Sequence, residues 1–201
     1  MGLMKKLSTY LFLFLFSFSV PSFADDISEY QIEGISIGDS LLDHLSKEEI
    51  ITEIEINKPT YNYLTEDFGE VYLFGNFDTY DRLSFFVKPK DKHYTIYSIS
   101  GGISYDDKLE KCFAKQKEIE KEFSSTYKNA KKRKYSLKLT LDPTGESVTH
   151  NIDFTFDSGD FIEINCTKYK KSLKIENNWQ DSLQVIIGTK EIIDWFENPI
   201  N

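Results

Sequence analysis

Two serines in one short stretch could do chemistry. Residues 33–50 read EGISIGDSLLDHLSKEEI. Gly34-Ile35-Ser36-Ile37-Gly38 has the G-x-S-x-G spacing that can lift a nucleophilic hydroxyl on a tight turn between strand and helix. Ser40 follows within Gly38-Asp39-Ser40-Leu41. Either hydroxyl would serve acyl transfer from an ester, and either would need a base within hydrogen-bond reach. The histidines are His44, His93 and His150, and no spacing ties one of them to either serine. The same residues also fit the start of a helix. Gly38 permits an abrupt turn, Asp39 or Ser40 can cap, and both Ser40-Leu41-Leu42-Asp43 and Ser46-Lys47-Glu48-Glu49 have capping-box spacing. We read the stretch as a helix start.

Little else in the chain points to catalysis. There is no C-x-x-C, H-E-x-x-H, P-loop or calcium-loop pattern, so no metal site and no cofactor is expected. The net charge is −9, and only Arg82 and Arg133 are arginines. Such a surface repels phosphate backbones, so nucleic acid is a poor partner. Residues 128–138, KNAKKRKYSLK, form a local basic run that reads as a solvated helix exit; a docking patch for an acidic partner is the lesser option.

Residues 1–24 read as a secretory signal peptide. Lys5 and Lys6 precede an apolar run from Leu7 to Val20, and small residues lead to a cleavage position after Ala24. The run is short of the roughly 20 apolar residues a span needs, so no stable membrane span is expected after cleavage. Loss of the two lysines would take the net charge from −9 to −11. The expected location is periplasmic or extracellular. In such a compartment the two cysteines, Cys112 and Cys166, are expected to form a disulfide in preference to two buried thiols.

The elements around these residues follow from periodicity. Residues 40–54 give two short helices broken near Ser46. Residues 68–75, 80–89 and 94–102 alternate like strands and are joined by short turns, which makes an antiparallel meander. Residues 106–128 form the best helix, with Leu109, Cys112, Phe113, Gln116, Ile119 and Phe123 on one stripe. Tyr135, Leu137, Leu139 and Leu141 alternate as a strand; further strands cover 151–156, 162–166 and 182–188. Residues 170–181 read as polar loop, and 189–199 as a short helix stopped by Pro199. The expected class is α+β, a single domain over 25–201, in the order α-βββ-α-ββββ-α. Gly34-Ile35-Ser36 recurs as Gly102-Ile103-Ser104, which raises two related α-βββ units, 33–100 and 101–201.

Tyrosines are dense around the first meander. Tyr61, Tyr63, Tyr72, Tyr80, Tyr94 and Tyr97 would make a recognition surface if they point outward, because Tyr gives contact area at low entropy cost.

Gly38-Asp39-Ser40-Leu41 resembles the name-giving block of the GDSL esterases and lipases. That resemblance implies Ser40 as nucleophile, a Gly-x-Asn-Asp block and a terminal Asp-x-x-His pair, on a parallel sheet. Gly75-Asn76-Phe77-Asp78 only echoes the second block, and no histidine has Asp three residues before it. The stretch from Gly34 also resembles the opening of uncharacterised exported bacterial proteins. It is more distantly similar to the helix opening of outer-membrane assembly lipoproteins of the SmpA/OmlA type and of β-lactamase-inhibitor-like repeats. Those families imply helices packed on antiparallel sheet and function by binding proteins. The main expectation is therefore a non-enzymatic exported protein that binds a protein or other envelope ligand. The alternative is a serine esterase using Ser40.

Overall fold

The computed structural model describes residues 27–106 and 108–200. The apolar leader and the expected cleavage position lie outside them. A two-stranded hairpin, β1 (Gln31–Ile32) and β2 (Ile35–Ser36), comes first. Glu33 and Gly34 both take positive φ, 54° and 78°, so the turn is the left-handed kind that suits a tight hairpin. The Glu33 carboxylate accepts from the amides of Asp78, Thr79 and Tyr80 at 3.1, 2.8 and 3.2 Å, which holds a later loop against the hairpin.

One helical turn at Leu41–Asp43 follows, then α1 (Lys47–Asn57), with the break at Ser46. The Ser46 capping box is complete: its hydroxyl accepts from Glu49 N at 3.3 Å, and Glu49 Oε2 accepts from Ser46 N at 2.8 Å. The main sheet contains β3 (Gly69–Phe74), β4 (Arg82–Val87), β5 (Ile96–Ser104), β6 (Lys131–Lys138), β7 (Val148–Thr155), β8 (Phe161–Lys168) and β9 (Ser182–Gly188). The remaining helices are α2 (Leu109–Thr126), α3 (Lys171–Asn177) and α4 (Lys190–Glu197). The class is α+β, as expected.

All seven strands pair antiparallel in the order β3-β4-β5-β9-β8-β7-β6. Register puts Phe85 opposite Ile99, Ile99 opposite Ile187, and Ile187 opposite Ile162. These residues share the inner face and are buried under α1 and α2. Gly69 brings α1 close: a Cβ there would sit 2.7 Å from Ile54. The Cys112–Cys166 disulfide, with Cα atoms 6.0 Å apart, fastens α2 to β8.

The two meanders are not copies of one unit. Each starts at a sheet edge and runs inward, β3-β4-β5 from one side and β6-β7-β8 from the other, with β9 between. Both leading helices lie on the same face, and β3 and β6 run in the same direction because the seven strands alternate. No rotation superposes two such arrangements; one has the mirror topology of the other, whereas a duplicated unit keeps its hand. Gly34 lies in a hairpin turn and Gly102 in the middle of β5, so the recurring tripeptide spans unlike structures.

Two other expectations need correction. The basic run is no helix exit. Residues 131–138 form edge strand β6, and Lys132 and Lys134 reach back to Glu120 of α2 at 2.9 and 2.6 Å. The inward side of the edge is thus ionic, while Leu137 faces away and is exposed. Lysine on an edge also discourages pairing with another chain. Residues 171–177, read as loop, are helical. Asn178 at φ 54° closes that helix in the left-handed conformation, the job glycine usually does.

Candidate functional site

Strand alternation sends every second side chain to the outer face, away from α1 and α2. There the residues are mostly polar: Glu70 and Tyr72 on β3, Ser84 on β4, Ser98 and Ser100 on β5, Gln184 on β9, Glu163 on β8 and Asp153 on β7. This face has its own small apolar anchor. Leu64, Phe68, Phe86, Ile192 and Trp195 pack together and seat α4 on it. Trp195 Nε1 donates to the Thr65 carbonyl at 3.0 Å, which fixes the helix to the loop before β3.

Where α4 stops, a cleft of about 560 Å³ opens. Ile193 and Phe196 of α4 wall it, the polar strand residues floor it, and Arg133 and Tyr135 of β6 bound its far side. A second hollow of about 580 Å³ shares Tyr72 and Gln184 with it and continues the groove to Tyr169 and Trp179. The rings of Tyr72 and Phe74 are stacked at the junction, 6.0 Å apart and 14° from parallel. A larger hollow of about 760 Å³ lies behind Tyr61 and Glu70. Its charged rim is self-neutralised, with Lys58 and Glu66 paired at 2.7 Å.

The cleft is acidic and partly dry. Glu70 is 6% exposed. Its Oε2 accepts from the Tyr61 hydroxyl at 2.7 Å, and the nearby hydroxyls of Tyr72 and Ser84 also favour the charged carboxylate. Burial nevertheless pushes the Glu70 carboxyl up, and the three hydroxyls only oppose the rise. Burial, and then the nearby Glu70 charge, pushes the Tyr61 and Tyr72 hydroxyls up as well. Glu163 is likewise raised by burial, against an Asn165 hydrogen bond of 2.8 Å. Tyr135 is pushed up to about 12 by burial, with Glu163 and Asp153 adding to it. Asp153 Oδ2 accepts from Arg133 Nη2 at 2.8 Å, while its Oδ1 is buried with no hydrogen-bond partner among the described residues. The arrangement can hold hydrogen-bond donors or positive charge against a floor of carboxylates and aromatic edges.

Ser40 is elsewhere, at the rim of the inner layer. Its hydroxyl donates to the His93 carbonyl oxygen at 2.6 Å and accepts from Leu42 N at 3.3 Å. That is a helix cap; the hydrogen-bond partner of Ser40 is the backbone of His93 and not its ring. Ser36 lies in β2, so the G-x-S-x-G stretch is a hairpin rather than an elbow. A serine does meet an imidazole at Ser136 and His150, with Oγ and Nδ1 2.8 Å apart. These are cross-strand neighbours in β6 and β7, and among the described residues no carboxylate hydrogen-bonds His150. Among the described residues, no group of three His, Cys, Asp or Glu is placed to hold a metal ion. No helix among them is long and apolar enough to cross a membrane.

The six tyrosines do not share one surface. Tyr94 is buried in the inner core and Tyr80 packs against it, under Gly101. Tyr97 lies against Phe68 and beneath Lys88. Tyr63 is exposed apart from the rest. Tyr61 and Tyr72 meet at Glu70 and line the cleft. Sequence reading missed Glu70, Asp153 and Glu163, although each sits at an outward position of an alternating strand. Alternation marks such residues as wet. It cannot show that α4 folds back over them. No protein-family model matches the chain, nor does any curated protein or solved structure, so the cleft is read from its own geometry.

Proposed function

We propose that this is an exported, non-enzymatic binding protein that takes its ligand on the outer face of the main sheet. The observation that carries the reading is the groove itself: a polar sheet face that, among the described residues, α4 covers at one end, with buried carboxylates in its floor and aromatic rings along its edge. Concave sites with a few convergent polar groups among apolar walls are where ligands are usually held. The disulfide supports export, since such bonds persist in oxidising compartments.

A thermal-shift panel tests this. Purified protein is melted with saccharides, short peptides, amino acids, amines and phosphate esters, beside a Gln184→Trp variant that fills the groove. A ligand at one hundred times its Kd adds about 2.7 kcal/mol, which raises Tm by roughly 5–10 °C in a domain of this size. The expected result is at least one compound that stabilises the parent and not the variant. Equal stabilisation of both proteins by every active compound would place binding elsewhere.

A further inference from the structure

The cleft has a chemical bias. Four carboxylates line it, those of Glu70, Asp153, Glu163 and Glu197, against one guanidinium, that of Arg133. Asp153 is only 8% exposed, and Arg133 satisfies one of its oxygens while the other has no partner among the described residues. A buried carboxylate oxygen without a donor is costly unless something supplies one. Arg133 also shows what kind of group fits. Its guanidinium carbon lies 4.4 Å from the centre of the Tyr135 ring while its Nη2 meets Asp153. The Arg133 side chain is otherwise 71% exposed, so it samples the site from outside rather than filling it. Further ring faces and edges are supplied by Tyr61, Phe86, Phe161 and Phe196. Aromatic walls around acidic groups attract ammonium and guanidinium ions by both charge and ring quadrupole.

We propose that the ligand of this cleft is a small organic cation, carrying an ammonium or guanidinium group that is held between Asp153, Glu163 and the aromatic wall. This deepens the binding reading and rests on it. The cation would give Asp153 Oδ1 its missing donor, and the remaining acidic residues would favour it over a neutral analogue of the same shape.

Calorimetric titration of the purified protein tests the proposal with three compounds: N-acetylarginine methyl ester, its uncharged isostere N-acetylcitrulline methyl ester, and spermidine. The expected result is binding of the arginine ester or of spermidine, with the citrulline ester at least about tenfold weaker, the scale of one charged hydrogen bond. Asp153→Asn and Glu163→Gln should each weaken the cation by about tenfold, with melting curves confirming that both variants are folded. Using two variants guards against loss of the Arg133 pairing in one of them. Equal binding of the two esters would overturn the proposal, because shape rather than charge would then be recognised. Cation binding unchanged in both variants would also overturn it, by assigning the ion to the acidic surface at large. If no cation binds while a neutral panel compound stabilises the parent but not Gln184→Trp, the cation is wrong and the groove stands. Binding confined to lysine- or arginine-bearing polypeptides would overturn the small-molecule occupant.

Discussion

Tyr61 donates its hydroxyl to Glu70 Oε2 at 2.7 Å and so joins the loop after α1 to edge strand β3 at the mouth of the cleft. The carboxyl is raised by burial, so its folded value lies above its unfolded one. Stability from this group is therefore fully present below the unfolded value and is lost as pH rises through the folded value. Glu70→Gln removes the titration. The difference in Tm, variant minus parent, should be more positive at pH 7 than at pH 4. Melting curves at the two pH values measure it; a difference that falls with pH would mean that the three hydroxyls outweigh burial.

The disulfide closes a loop of 54 residues between α2 and β8. Chain-entropy arguments put its contribution at about 4 kcal/mol, an upper figure because the reduced chain keeps some structure. Cys112→Ala with Cys166→Ala should lower the urea midpoint accordingly, with the native far-ultraviolet spectrum retained. No change in midpoint would mean that the packing of α2 against β8 alone holds this layer.

Gly69 is needed for a close approach. A methyl group there would meet Ile54 at 2.7 Å, and Ile54 sits on the face of α1 that β3 supports. Gly69→Ala should cost about 1–3 kcal/mol by overpacking. Ile54→Ala in the same chain removes both γ carbons that the methyl would meet, so the double variant should lose less than the sum of the two single losses; an additive result would show that the clash is not the cause.

Ser40 acts as a cap, and its hydroxyl proton is committed to the His93 carbonyl at 2.6 Å. Ser40→Ala should cost about 1 kcal/mol, the worth of a typical cap. Parent, Ser40→Ala and Ser136→Ala should hydrolyse short p-nitrophenyl esters no faster than buffer. Turnover by the parent that either variant abolishes would make the protein an esterase.

Much of the fold could be read in the residues. Leu83, Phe85 and Val87 alternate with Arg82, Ser84 and Phe86, which makes one side drier than the other, and the short turns between strands force antiparallel pairing. Cys112 falls on the apolar stripe of α2 and Cys166 on the apolar side of β8, which is why the bridge was foreseeable. The edge strand was legible only in its second half, where Tyr135 and Leu137 alternate; its basic first half read as a helix exit. There Lys132 and Lys134 turn inward to Glu120, an arrangement set by the tertiary position of α2 that inverts the usual pattern. The short α3 carries no apolar stripe, and none of its residues is buried. The cleft was the least legible feature, because it depends on Trp195 and Ile192 docking α4 onto strands far away in sequence.

Crystallographic fragment screening tests the central claim most directly, since it works whatever the chemistry of the ligand. With a few hundred small compounds soaked into crystals whose groove is open to solvent, bound fragments should concentrate between Tyr72, Gln184 and Phe196. Fragments that cluster instead beside Ser40, or along α1 and α2, with the groove vacant throughout, would contradict it.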